Sequence, residues 1–295
     1  MAAALRIFWN LHSKLAEGRG WLEAVLESGS LDAPSTVRVK LLNGLGQAAR
    51  NQGDYEAARN AYQEGLTAGR AANDLGQIAY SLRGLGAVAN RQDDFTTARK
   101  LTEEALAISR RLNDEAGVGF SLYYLGDLAR AEGDDASARP LLTESLTIFR
   151  RFGNKEGVSA NLNSLGAVAY GEGDFAAARS HFAEALATSQ ELQEKTIISF
   201  ALEGFAALAA ESGDAKRAVR LAGAADELRE QVGFEIEPFE RRFRECYLSQ
   251  LKAKMDEDTF AKLYEQGRKL KLEEAVALCL KENNSEDKTA VFKTN

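Results

Sequence analysis

A chain of 295 residues with 37 lysines and arginines against 44 aspartates and glutamates carries a net charge of −7. That is the wrong sign for a protein whose affinity comes from displacing counterions along a phosphate backbone, so nucleic acid is not an expected partner of this segment. Three prolines in the whole chain, with alanine, leucine, glutamate and arginine abundant, leave helix as the local preference nearly everywhere, and the expected fold class is all-α.

The chain opens on Met1 to Trp9, an apolar run too short for a signal peptide and without a cleavage site. Leu5 stands forty residues before Leu45, Arg19 forty before Arg59 and Leu26 forty before Leu66. Residues 1–30 therefore read as a partial first repeat. Its Gly-Asp turn is replaced by Ser13-Lys14, and its first helix carries Phe8 and Trp9, an aromatic pair expected to lean on something upstream.

From 31 to 233 the period is explicit. Glycine recurs at 46, 86, 126 and 166, aspartate at 54, 94, 134, 174 and 214, and leucine at 42, 82, 122, 162 and 202. A repeat of this length marks a solenoid, in which each unit buries its apolar face only against its neighbours. Leu42, Leu45, Gly46 and Ala49 make the stripe of a first helix, A, which ends at Asn51-Gln52-Gly53. Asp54 stands at the N-cap of a second helix, B, striped by Tyr55, Ala58, Tyr62 and Leu66. The spacing predicts helix pairs over 39–72, 79–112, 119–152, 159–192 and 199–232, with no strand. Ala206 replaces the glycine of the fifth unit, a worn copy at the end of an array. Glycine inside a helix costs about 1 kcal/mol relative to alanine, so its return predicts close approach of A and B, with Ala58, Ala98, Ala138 and Ala178 as the small partners.

Beyond 233 the period is lost. Pro238 suits the first turn of a helix to about Met255, Asp258 is the expected cap of a second to about Gly267, and Leu272–Lys281 reads as a third. Residues 234–281 would then cap the stack, and the polar tail 282–295 is expected to be disordered. The longest apolar stretch, Ile197 to Ala210, contains Glu203 and falls short of the roughly 20 residues of a membrane span, so a soluble, cytoplasmic protein is expected.

Leu45-Gly46, Gly53-Asp54-Tyr55, Ala58 and Tyr62 resemble the tetratricopeptide repeat. The resemblance implies a helix-pair solenoid wound as a right-handed superhelix with a C-terminal helical cap. The unit departs from that repeat by six extra residues, and Arg70, Arg110 and Arg150 replace its closing proline. The segments EGRGWLEAVLE (17–27), AVRLAGAADELREQVG (218–233) and FAKLYEQGRKLKLEEAVALCL (260–280) are similar to the C-terminal helical-repeat arm of bacterial STAND-type ATPases, including large LuxR-like and related winged-helix transcriptional regulators. There the arm follows a nucleotide-binding and winged-helix module and senses or holds a partner.

Catalytic chemistry is not legible. Gly44-Leu-Gly46-Gln-Ala-Ala49 and Gly84-Leu-Gly86-Ala-Val-Ala89 fit a dinucleotide fingerprint, but inside helix A they point to packing. His12 and His181 are the sole histidines, and His181 fills a slot held by Ala61, Leu101 and Leu141 in other units. Glu64, Glu104, Glu144 and Glu184 recur one per unit, each expected beside a neighbouring arginine or solvated. Cys246 and Cys279, with no CxxC, read as small buried hydrophobes. No enzyme activity, cofactor or metal is expected.

Carried over from the tetratricopeptide comparison, the concave partner groove would show Asn43, Gln47 and Arg50, then Tyr80, Arg83 and Asn90, then Phe120, Tyr123, Asp127 and Arg130, then Asn163 and Tyr170. The other reading is a solvated inner face with aromatics packed on their neighbours. The implied function is a protein-interaction or signal-sensing arm of a STAND-type regulator, its partner a protein or peptide that could be the upstream ATPase and winged-helix module. The alternative is a free-standing adaptor that binds an extended peptide in the groove.

Overall fold

The computed structural model describes residues 15–27 and 35–281. The expectations for Phe8, Trp9, His12 and the tail lie outside them. Helix α1 (Leu15–Glu27) precedes five pairs: α2 (Thr36–Asn51) with α3 (Tyr55–Ala71), α4 (Leu75–Arg91) with α5 (Phe95–Arg111), α6 (Glu115–Glu132) with α7 (Asp135–Phe152), α8 (Lys155–Gly171) with α9 (Phe175–Leu192), and α10 (Lys195–Glu211) with α11 (Ala215–Val232). Then come α12 (Pro238–Lys254), α13 (Glu257–Arg268) and α14 (Leu272–Leu280). The described residues contain no strand.

The turns repeat every twenty residues, half the period of the unit. A residue in the left-handed region stands at 53, 73, 93, 113, 133, 153, 173, 193, 213 and 233. Six of these are glycine, and Asn73, Asp93 and Asn113 are the residue types that tolerate that region best. Immediately after it, Asp54, Asp74, Asp94, Asp114, Asp134, Asn154, Asp174 and Asp214 each accept the amide of the residue three further on, at 2.9–3.1 Å. The caps before helix A start it three or four residues earlier than its apolar stripe alone suggests. The six residues beyond the 34 of a tetratricopeptide repeat lengthen the helices, since Arg70, Arg110 and Arg150 lie inside α3, α5 and α7.

The repeated glycines lie at close approaches, but the side chain that crosses them is one turn past the expected alanine. A Cβ at Gly46 would stand 2.8 Å from the Tyr62 ring, at Gly86 2.6 Å from the Thr102 hydroxyl, at Gly126 2.6 Å from Leu142 Cγ, and at Gly166 2.6 Å from the Phe182 ring. Ala58, Ala98, Ala138 and Ala178 are buried beside them. Where the crossing residue is a large ring, the next unit yields too: Gly84 lies against Tyr62 and Gly204 against Phe182. Where it is Thr102 or Leu142, the equivalent positions are Tyr124 and Ser164. Volume is conserved across each layer, as a close-packed core demands. Gly126→Leu is therefore expected to lower stability by roughly 1 to 3 kcal/mol although leucine favours helix. A urea midpoint at or above that of the parent would show that Leu142 simply swings aside.

Successive units are also tied along the outside. Arg70 and Glu104, Arg110 and Glu144, and Arg150 and Glu184 pair across units at 3.9, 3.7 and 2.6 Å. Arg59 reaches Gln92, Arg99 reaches Glu132, and Arg139 reaches Glu172. Arg19 of α1 makes the same step to Gln52, at 3.2 Å. Being exposed, these pairs add little stability. They recur in step with the unit.

At the far end α13 and α14 pack on α10 and α11, closing the stack. The cap of α13 is Asp256, which accepts from Thr259 N at 2.8 Å, in place of the expected Asp258. Cys279 is buried, whereas Cys246 is exposed on α12, contrary to expectation. Helix α12 also departs from its expected place, because it turns back from the fifth unit to lie against α6 and α10.

Candidate partner-binding groove

Helices α2, α4, α6, α8 and α10 stand side by side and form one wall. The twelve residues expected on it divide into two groups and one outlier. Asn43, Gln47, Tyr80 and Arg83 hold neighbouring helices together. Asn43 Nδ2 donates to Gln77 Oε1 at 3.0 Å and its Oδ1 accepts from Ser81 Oγ at 2.7 Å, while Tyr80 OH donates to Gln47 Oε1 at 2.8 Å. Arg83 donates to Ser109 Oγ at 3.4 Å under the Tyr80 ring, and burial lowers its guanidinium pKa. Phe120 is the outlier, packed edge-on against Phe149 at 4.9 Å.

Arg50, Asn90, Asp127, Arg130 and Tyr170, in the C-terminal halves of α2, α4, α6 and α8, form the second group with Tyr123 and Asn163 from the middle of α6 and α8. Arg50 donates to Tyr124 OH at 3.3 Å, two units away. Asp127 accepts from Ser164 Oγ at 2.7 Å and from Arg130 at 3.1 Å. Burial pushes its carboxyl pKa up against the pull of Arg130. Asn163 Nδ2 donates to Ile197 O at 3.1 Å.

Helix α12 and the stretch before it cover this second group. Tyr55 OH donates to Glu235 at 2.9 Å, and Arg91 donates to the Glu235 carbonyl at 2.7 Å and to Glu237 at 2.6 Å. The Arg130 guanidinium lies 4.8 Å over the Phe239 ring, and Phe243 sits 5.4 Å from Tyr170. Phe239, Phe243, Tyr247 and Leu251 follow one another at four-residue steps, a single narrow stripe on an otherwise charged helix. Such a stripe fits a groove better than the wider face of a bundle helix. Pro238 sits at its first turn, and Glu240 accepts from Glu237 N at 3.0 Å.

Two cavities of about 30 Å³ each remain between α12 and the wall, one bordered by Arg50, Asn90 and Glu237, the other by Asn163, Phe239 and Glu240. Four buried polar atoms beside them, Asn90 Oδ1, Asp127 Oδ2, Asn163 Oδ1 and Glu240 Oε1, have no hydrogen-bond partner. Burial pushes the Glu240 carboxyl up to about 8, with the neighbouring Glu237 carboxylate adding to the effect and the Glu237 amide opposing it.

Deeper along α12 lies a buried ionic cluster. Arg229 and Arg244 both reach Glu203 Oε1 at 2.6 Å, and Arg244 also holds Asp226 Oδ2 at 2.6 Å. Tyr247 donates to Glu203 and Tyr264 to Asp226. The cluster joins α10, α11, α12 and α13. Glu203 stands alone in an apolar run, a signal that could have marked it as a buried acid; Arg91, Tyr124 and the place of α12 carried no comparable signal.

The glycines of the two dinucleotide-like motifs lie inside α2 and α4. His181 is half-buried, its pKa lowered by burial and by Arg139. No helix of the described residues is long and apolar enough to cross a membrane.

A tetratricopeptide repeat profile matches residues 77–151, and another matches 39–76 and 162–192. No curated protein matches the chain. Among solved structures, BtubC (BKLC) from P. vanneervenii is similar at 20% identity over 81% of this chain and 95% of its own, with a TM-score of 0.54. A Podosopora anserina putative kinesin light chain with nearly identical TPR-like repeats matches at 16% identity over 65% of this chain and 95% of its own, TM-score 0.46. The TPR2AB domain of yeast Sti1, solved as a pHSP90 complex, matches at 14% identity over 90% and 96%, TM-score 0.31. The first of these likenesses shows the fold, and residues 39–151 and 162–192 of this all-helical solenoid are tetratricopeptide repeats.

Proposed function

We propose that the chain is a non-enzymatic protein-interaction arm: the sensing arm of a cytoplasmic bacterial STAND-type regulator, which holds a partner while an ATPase and winged-helix module does the switching. One observation carries the interaction reading. The wall of unit-specific residues around Tyr123, Arg130 and Tyr170 grips a helix through guanidinium and aromatic contacts, the groups that anchor protein interfaces. Solenoids of this kind offer an extended concave face for such use. The regulator context is supported by the three arm-like segments at 17–27, 218–233 and 260–280.

A free-standing adaptor for extended peptides is the second reading. It is favoured by the main-chain contact of Arg91 with the Glu235 carbonyl, in the non-helical stretch ahead of α12. The test is titration of the purified ATPase and winged-helix product of a neighbouring reading frame against the chain. Arg50→Ala with Tyr123→Ala is expected to weaken binding about thirtyfold, or 2 kcal/mol, with the fold intact by circular dichroism. Arg110→Ala with Glu144→Ala, on the outer ladder, should leave it unchanged. No binding of the module, or equal loss from both pairs, overturns the regulator reading.

A further inference from the structure

We infer that residues 234–251 are a self-ligand of the groove, displaced by a partner segment of the same chemistry: acidic residues leading into a helix with aromatics four residues apart. The inference rests on the interaction reading and adds the kind of partner and the regulation of the site.

Three observations lead there. The first is reach. Leaving the fifth unit, the segment touches Tyr55 and Arg91 through Glu235, Arg130 through Phe239, and Tyr170 through Phe243. Its N-terminal half thus lies across the first four units, while Arg244, Tyr247 and Leu251 tie its C-terminal half to the fifth. The second is the shallowness of its seating. Only Pro238, Phe239, Tyr247 and Leu251 of α12 are buried, while Glu245, Ser249 and Gln250 face solvent, and the exposed Arg241 and Arg242 reach Asp93 at 3.6 Å and the Arg130 carbonyl at 3.3 Å. Helix α13, by contrast, meets α11 at backbone contact through Gly223 and Gly267. The C-terminal half of α12 is held by Tyr247, Leu251 and the ionic cluster, so the stretch from 234 to 243, anchored by a few side chains along one edge, is the part with least to keep it closed.

The third is imperfect fit. Four buried polar atoms without a protein partner among the described residues, Asn90 Oδ1, Asp127 Oδ2, Asn163 Oδ1 and Glu240 Oε1, lie where α12 meets the wall; others, such as Asn161 Oδ1 and Arg220 Nε, lie elsewhere. Buried polar groups are ordinarily hydrogen-bonded, so this interface is one that a better-matched chain can improve. The recognition chemistry is read from the contacts already made: Arg91 takes a carboxylate, Arg130 and Tyr170 take aromatic rings, and a donor at the position of Glu240 would satisfy what Glu240 leaves unmet.

The probe is a fluorescent peptide of residues 234–251, followed by anisotropy against the full chain. With Phe239→Ala and Phe243→Ala in the chain, which loosen its own segment, the peptide should bind at least tenfold more tightly than to the parent. Adding Arg91→Glu to that chain should cost tenfold or more, and a Glu237→Lys peptide should recover the loss. Should the loosened chain lose helicity, Glu235→Lys with Glu237→Lys replaces it, since neither side chain is in the core. Hydrogen exchange gives an independent reading: amides of α12 should exchange faster than those of α13, and excess peptide should speed them further. Equal peptide affinity for parent and loosened chains, no response to Arg91→Glu, or α12 as protected as α13 would overturn the inference. A peptide that fails on the opened groove while the regulator module still binds there removes the self-ligand alone. Peptide binding without module binding removes the regulator reading alone.

Discussion

Glu203→Leu is expected to destabilise the fifth unit by about 3 to 5 kcal/mol, because it strips a carboxylate from the buried Arg229 and the partly buried Arg244 at once. Arg229 and Arg244 both reach Glu203 Oε1 at 2.6 Å, and the fully buried Tyr247 hydroxyl donates to the other oxygen. Asp226 remains, but it already serves both arginines and Tyr264. The loss is that of stranded charge: a buried ion pair adds little compared with a well-packed apolar replacement, yet removing one partner leaves the other unsolvated. Glu203→Gln keeps the shape and should cost less. Urea unfolding followed by helicity decides the matter, and a Leu variant no weaker than the Gln variant would mean that the arginines find water.

Gly267→Ala should cost about 3 kcal/mol, the upper end of what overpacking does, against a gain of about 1 kcal/mol in helix propensity. A Cβ there would stand 2.0 Å from the Arg220 carbonyl oxygen, and one at Gly223 2.2 Å from that of Tyr264. Both obstacles are backbone, which cannot turn aside as a side chain does. The methyl must push α13 away from α11, and Arg268, held to Glu230 at 2.7 Å, moves with it. Limited proteolysis between residues 254 and 272, with the urea midpoint, reads the effect. A midpoint equal to or above the parent's would show that the crossing opens at no cost. The two glycines share one crossing, so their losses should not add.

Much of the fold was legible because its determinants are local. Gly53-Asp54 sets a left-handed residue and a cap within two positions, and the same pair recurs at 133, 173 and 213, with Asp93-Asp94 in its place in the second unit. The caps of helix A were equally present as Asn73-Asp74, Asn113-Asp114 and Gly153-Asn154, but without the glycine in two of three they did not stand out. The arginines at 70, 110 and 150 and the glutamates at 104, 144 and 184 were visible as two separate series, and became one ladder only when successive units were stacked.

The groove was legible by residue and not by role. Arg83 and Arg130 lie on the same kind of helix face, yet Arg83 is taken up by Ser109 and Tyr80 while Arg130 lies over Phe239. Residue type and spacing cannot separate them. The difference comes from what each meets once the chain is packed: Arg83 meets Ser109 of the neighbouring helix α5, and Arg130 meets α12. The stripe of α12 likewise announced one buried edge but not the surface that buries it. By itself the sequence determined the helices, their caps and their forty-residue register, since those follow from interactions within a turn or two of chain. Tertiary structure alone decided which wall residues meet α12, because contacts between residues 91 and 237 or 130 and 239 join parts of the chain more than a hundred residues apart, beyond the reach of any local pattern.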